Sequence, residues 1–96
     1  MAELLSDTEI DTALEGLPHW RRDGAALTRT IASASFPDAI TLVDRVAVAA
    51  ESMNHHPDMD IRWRKVTYWL STHALGGITK SDLELARRID ELAAPA

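Results

Sequence analysis

The period of the apolar residues changes partway along this chain, and that change limits the fold more than any other feature. From Ser35 to about Asn54 the spacing is helical, with Phe36, Ile40, Val43, Ala47 and Ala50 along one stripe. Leu42, Val46, Ala49 and Met53 form a second stripe beside it. After His55-His56-Pro57 the period drops to two. Met59, Ile61 and Trp63 alternate with Asp60, Arg62 and Arg64, which predicts a half-buried strand. Val66, Tyr68 and Leu70 then alternate with Thr67, Trp69 and Ser71, and a turn at Arg64-Lys65 would pair the two strands. The chain therefore mixes a long helix with adjacent antiparallel strands.

The flanking segments fit the same scheme. Ser6-Asp7-Thr8-Glu9 reads as a capping box, with Leu5 and Ile10 at the staple positions. Ile10, Ala13, Leu14 and Leu17 give that first helix its buried stripe, and Gly16 and Pro18 end it. Trp20-Arg21-Arg22 and Ala26 to Ile31 flank Asp23-Gly24, a hairpin dipeptide, although Arg29 falls on the same face as Leu27 and Ile31. Ser35 and Asp38 cap the long helix, and Pro37 is tolerated in its first turn. Gly76-Gly77 breaks the fourth strand, and Thr79 caps a last helix with the stripe Leu85, Ile89 and Leu92. The order α-β-β-α-β-β-α predicts an α+β fold: a four-stranded antiparallel sheet with three helices packed on one face. Residues 1–96 form one domain, since a chain of 96 residues supports a single core. The apolar arc of the long helix covers about half its circumference, wider than one sheet contact requires. That width suits deep burial or a subunit interface.

Composition excludes several kinds of chemistry. There are no cysteines, which removes disulfides, thiolate catalysis and Cys-based metal centres together. Ten Lys and Arg against fifteen Asp and Glu give a net charge of −5, which disfavours direct nucleic-acid or anionic-membrane binding. The longest apolar run, Val46 to Ala50, is far short of a membrane span, and the acidic start Met1-Ala2-Glu3 is unlike a signal peptide. A cytoplasmic location follows as the expectation.

Four histidines remain as the chemistry-bearing feature. His55 and His56 end the long helix, and Pro57 enforces extended backbone beyond them. Glu51 precedes His55 by one turn, close enough to orient its ring. His73 ends the fourth strand beside Gly76-Gly77. Asp82 projects toward the apolar stripe of the last helix, yet Thr79-x-x-Asp82 is itself a capping box that accounts for the aspartate. His19 has no signal of its own and reads as surface. Imidazoles exchange protons near neutral pH, so this set suits general acid–base work. The same residues could ligate a metal, but adjacent histidines rarely bind one ion together, which ranks that reading second.

The run Glu51-x3-His55-His56-Pro57-x5-Trp63-x9-His73-x8-Asp82 has the order and spacing of the pterin-4a-carbinolamine dehydratase signature. Ser71-Thr72-His73, Gly76-Gly77, Thr79-x-x-Asp82, Trp20 and Leu85-Ala86 with Ile89 also resemble that family. The similarity spans about Trp20 to Leu92. It implies the fold already derived, assembly into dimers or tetramers, and dehydration of 4a-hydroxytetrahydropterin to quinonoid dihydropterin without metal or cofactor. That reaction recycles pterin for aromatic amino-acid hydroxylases.

By the resemblance, His55 and His73 are the proton-transfer groups and His56 holds the pterin, sharing in proton transfer. Asp82 would orient His73, and Glu51 would support His55 or contact the substrate. Trp20 would line the pocket, and Ser71 and Thr72 would offer backbone groups to the pterin ring. Asn54 and Pro57 would help bind the substrate. Asn54 and Met59 stand where some relatives have an acidic and an aromatic residue, which bears on substrate preference. The alternatives are a non-catalytic dimerisation module, as in relatives that assist a homeodomain transcription factor, or a pterin-handling enzyme linked to molybdenum cofactor metabolism.

Overall fold

A computed structural model describes residues 3–94. The elements run α1 (Asp7–Glu15), β1 (Arg21–Asp23), β2 (Ala26–Ala32), α2 (Phe36–Met53), β3 (Asp58–Arg62), β4 (Lys65–Leu70) and α3 (Lys80–Ala93), with one 3₁₀ turn at His73–Leu75. The strands form one antiparallel sheet in the order β1-β2-β4-β3, with β2 and β4 central. The predicted α+β architecture holds.

The three predicted N-caps all form. Ser6 and Glu9 complete the box on α1, the Ser35 hydroxyl accepts from the Asp38 N–H, and Thr79 and Asp82 complete the box on α3. Leu27, Ile31, Val66, Tyr68 and Leu70 face the helices, and Ile10, Leu42, Val46, Leu85 and Ile89 meet them in one buried core. Each such side chain, fully buried, contributes roughly 2 kcal/mol. Arg29 stands among these apolar neighbours because Asp90 on α3 receives its guanidinium at 2.5 Å.

The structure corrects the predicted hairpins by one residue each. The first turns at Gly24-Ala25, because Asp23 still pairs with Ala26 and Gly24 takes the positive φ of 58°. The second turns at Trp63-Arg64, so Trp63 leaves the strand, adopts φ 55° and is 68% exposed. The Arg64 guanidinium lies 4.8 Å from its ring centroid. The strand expected to be half-buried, β3, is instead an exposed edge. Met59 and Ile61 point to the helix side, yet α2 packs over β4 and α3 and leaves them open. The wide arc of α2 divides similarly: Ala39, Leu42, Val46 and Ala50 are buried, while Phe36 and Ala47 are exposed.

Candidate active site

The end of α2, the end of β4 and the start of α3 meet at one edge of the molecule. Asn54 caps α2 in the left-handed conformation, with φ 51° and ψ 43°. Its N–H and that of His55 return to the carbonyls of Glu51 and Ala50, closing the helix. The chain then leaves along His55-His56-Pro57 into β3. From β4 it passes through Ser71-Thr72 into the 3₁₀ turn that carries His73. Gly76 closes that turn with a positive φ of 67°. A bridge between Thr72 and Gly77 pins the loop beneath α3.

Asp82 is fully buried, and its two oxygens have separate duties. Oδ2 accepts the Thr79 N–H at 2.9 Å, which is the capping bond, and the Thr72 hydroxyl at 2.9 Å. Oδ1 lies 2.5 Å from Nε2 of His55, whose side chain is 14% exposed. Asp82 thus caps α3 with one oxygen and meets His55 with the other. A buried carboxylate must be fully hydrogen-bonded to be tolerated, and here the imidazole and the loop supply the partners.

The other two histidines also face carboxylates, but in solvent. His56 Nε2 lies 2.8 Å from Glu51 Oε1, and His73 Nε2 lies 3.3 Å from Asp58 Oδ2. All four of those side chains are more than half exposed. Exposed pairs of this kind hold a ring only weakly. The segment 55–58 therefore places His55 on Asp82, His56 on Glu51 and Asp58 on His73.

Several expected pairings differ. Asp82 hydrogen-bonds His55 and not His73, its other oxygen being held by Thr72 and Thr79. Glu51 reaches His56 and not His55, because the left-handed Asn54 breaks the helical spacing between them. His73 lies in the 3₁₀ turn past the end of β4. Trp20 does not join this site. It is buried and donates from Nε1 to Asp90 Oδ1 at 2.7 Å, eight residues beyond Asp82 on α3 and about 12 Å along the helix. The backbone of Thr72 is engaged internally, N–H to the Gly77 carbonyl and C=O to the Leu75 N–H, while its side chain serves Asp82. The Ser71 hydroxyl donates to the carbonyl of Ala25 at 2.7 Å. Asn54 and Pro57 flank the histidines in the chain, and His19 is exposed.

Asp58 was not foreseen, and its only signal was its place two residues past the histidine pair in a strand-like run. Among the described residues no cluster of three or more His, Asp or Glu side chains is arranged to hold a metal ion. No helix among them is long and apolar enough to cross a membrane.

The chain is similar to known proteins over nearly all of its length. The family model described as Pterin 4 alpha carbinolamine dehydratase matches residues 3–92. A Nocardia farcinica protein named "Putative pterin-4-alpha-carbinolamine dehydratase" is 63% identical over 91 residues, covering 95% of this chain and 96% of its own. A Roseiflexus castenholzii protein of the same name is 52% identical over 92 residues, covering 96% and 99%. Among solved structures, a transcriptional coactivator/pterin dehydratase from Brucella melitensis superposes with a TM-score of 0.93 at 29% identity, over 96% of this chain and 100% of that one. A pterin dehydratase-like protein described as a RuBisCO assembly factor in the alpha-carboxysome shares the fold, with a TM-score of 0.64 at 22% identity over 80% of this chain and 89% of that one. With the match running through both the histidine pair and Asp82, the chain belongs to the pterin-4-alpha-carbinolamine dehydratase family.

Proposed function

We propose that this protein dehydrates a 4a-hydroxytetrahydropterin to the quinonoid dihydropterin and water. The observation that carries the reading is the His55–Asp82 pair, an imidazole half-sunk in the surface against a fully buried carboxylate. The reaction removes a proton from N5, breaks the C4a–O bond and forms a C4a–N5 double bond. The hydroxyl leaves as water once protonated. The net change is loss of water, so neither an oxidant nor a reductant is consumed.

Two groups able to exchange protons near neutral pH are required, one for N5 and one for the departing hydroxyl. His55 and His73 fill those roles, His55 held by Asp82 and His73 by Asp58. His56, tethered to Glu51, orients the pterin. Such a reaction returns pterin to an aromatic amino-acid hydroxylase in the cytoplasm. The open apolar faces of α2 and β3 (Phe36 47%, Ile61 44% and Met59 37% exposed) suit a homodimer or homotetramer. Sedimentation as a monomer at micromolar concentration would remove that part of the reading.

Stopped-flow decay of 4a-hydroxytetrahydropterin, with and without the protein, tests the activity. His55→Ala and His73→Ala should each slow the catalysed step by about 100-fold. Full activity in both variants overturns the assignment.

A further inference from the structure

We propose that Thr72 is a positioning residue: through a directed relay of hydrogen bonds it holds His55 in the Nε2–H tautomer and so makes Nδ1 the proton-accepting atom. The inference rests on the reading of His55 as a proton-transfer group and adds the atom and the device that selects it.

The direction of the relay follows from counting hydrogens. Thr72 Oγ1 lies 2.8 Å from Thr79 Oγ1 and 2.9 Å from Asp82 Oδ2. A hydroxyl has one hydrogen, so it can donate to only one of those neighbours. A carboxylate oxygen has no hydrogen to give, so Thr72 donates its one hydrogen to Asp82 Oδ2. The hydrogen between the two hydroxyls must then come from Thr79, whose Oγ1 also accepts the Ser81 N–H at 3.3 Å. The Thr79 N–H arrives at the same Oδ2 at 2.9 Å. A chain of hydrogen bonds thus runs from Ser81 and Thr79 at the start of α3 to Thr72 in the preceding loop and ends on the carboxylate, where the Thr79 N–H joins it.

Asp82 is an acceptor on Oδ2 and, as a carboxylate, can only accept on Oδ1. The 2.5 Å bond from Oδ1 to His55 must therefore take its hydrogen from Nε2. In the neutral ring the lone pair is left on Nδ1. The contrast with the other histidines sharpens this. The carboxylates facing His56 and His73 are 80% and 68% exposed, and water can replace either partner without an energetic penalty of comparable size. Asp82 is buried, so its orientation depends on the two donors to Oδ2, the Thr79 N–H and the Thr72 side chain.

Long-range proton–nitrogen NMR of the histidine rings, at a pH where His55 is neutral, reads the tautomer directly. The wild type should show a protonated Nε2 and a lone-pair Nδ1 at His55; the opposite tautomer overturns the proposal. Thr72→Val should give mixed tautomers and about a 10-fold lower kcat with KM little changed. Thr72→Ser, which keeps the hydroxyl, should restore both. A folded Thr72→Val variant with the wild-type tautomer and rate overturns the relay, and if that variant does not fold, Thr72→Ala read in the same two ways decides. A wild type inert toward the pterin, with a protonated Nε2 that the Thr72 variant loses, overturns the functional reading alone and supports the relay.

Discussion

Helix α3 carries two aspartates eight residues apart, both turned inward, and each closes to 2.5 Å on a cationic or titratable partner. At the first turn Asp82 meets His55, Thr72 and Thr79. Near the other end, Asp90 meets the Arg29 guanidinium and the Trp20 indole N–H on one oxygen. Arginine keeps its charge and indole its proton at any ordinary pH, so the Asp90 cluster can only hold its parts together. Imidazole exchanges a proton near neutrality, so the Asp82 cluster can hold and also react. The same residue type on the same helix is scaffold at one end and candidate chemistry at the other, and the partner makes the difference.

The largest expected effect separates the two ends by rate. Asp82→Asn keeps the shape but can present an amide N–H to His55 and favour the wrong tautomer. Dehydration should fall on the order of 10³-fold. An unchanged kcat would erase the distinction between the two aspartates. Asp90→Ala should do the reverse. It strands a partly buried guanidinium and indole N–H, costing about 2–3 kcal/mol in denaturant unfolding while kcat per folded molecule stays the same. A slowed reaction in that variant would mean the scaffold end reaches the chemistry.

The smallest effect concerns the sheet between them. Tyr68 on β4 is wholly buried, its hydroxyl has no hydrogen-bond partner among the described residues, and burial pushes its pKa up to about 12 from an ordinary value of 10.0. The folded state thus retains the phenolic proton where the unfolded chain releases it. Its contribution to stability is complete below pH 10 and is lost as pH rises toward 12, by about 2 kcal/mol at the upper end. Tyr68→Phe should flatten that alkaline loss in urea titrations and leave neutral stability within about 1 kcal/mol. A persistent alkaline loss would place the titrating group elsewhere in the core.

What could be read in advance was local. The caps at Ser6, Ser35 and Thr79 involve residues three apart, and all three form, those at Ser6 and Thr79 as full capping boxes. Element order was legible because the apolar period changes sharply at His55. Arg29 was visible as an anomaly among apolar neighbours, but its partner lies 61 residues away and only folding brings it there. The pairing of histidines with carboxylates was illegible for the same reason: Asp82 and His55 are 27 residues apart. The turn at Trp63 was missed because an aromatic residue at positive φ is uncommon, and no glycine advertised it. Alternation in β3 gave the correct face of the strand without revealing that α2 stops short of covering it.

Among the described residues Asn54 hydrogen-bonds to neither Asp82 nor His73, yet the left-handed backbone at this one residue sets the phase of the histidines after it. Had the helix run on through residue 55, Glu51 would stand beside His55. The single reversed dihedral pair shifts the register by one, gives Glu51 to His56, and releases His55 toward the interior. Two adjacent and chemically identical rings are thereby sorted, one to the buried anchor and one to the solvent. The division of labour between them is written in the main chain, at a position whose own side chain need do no chemistry.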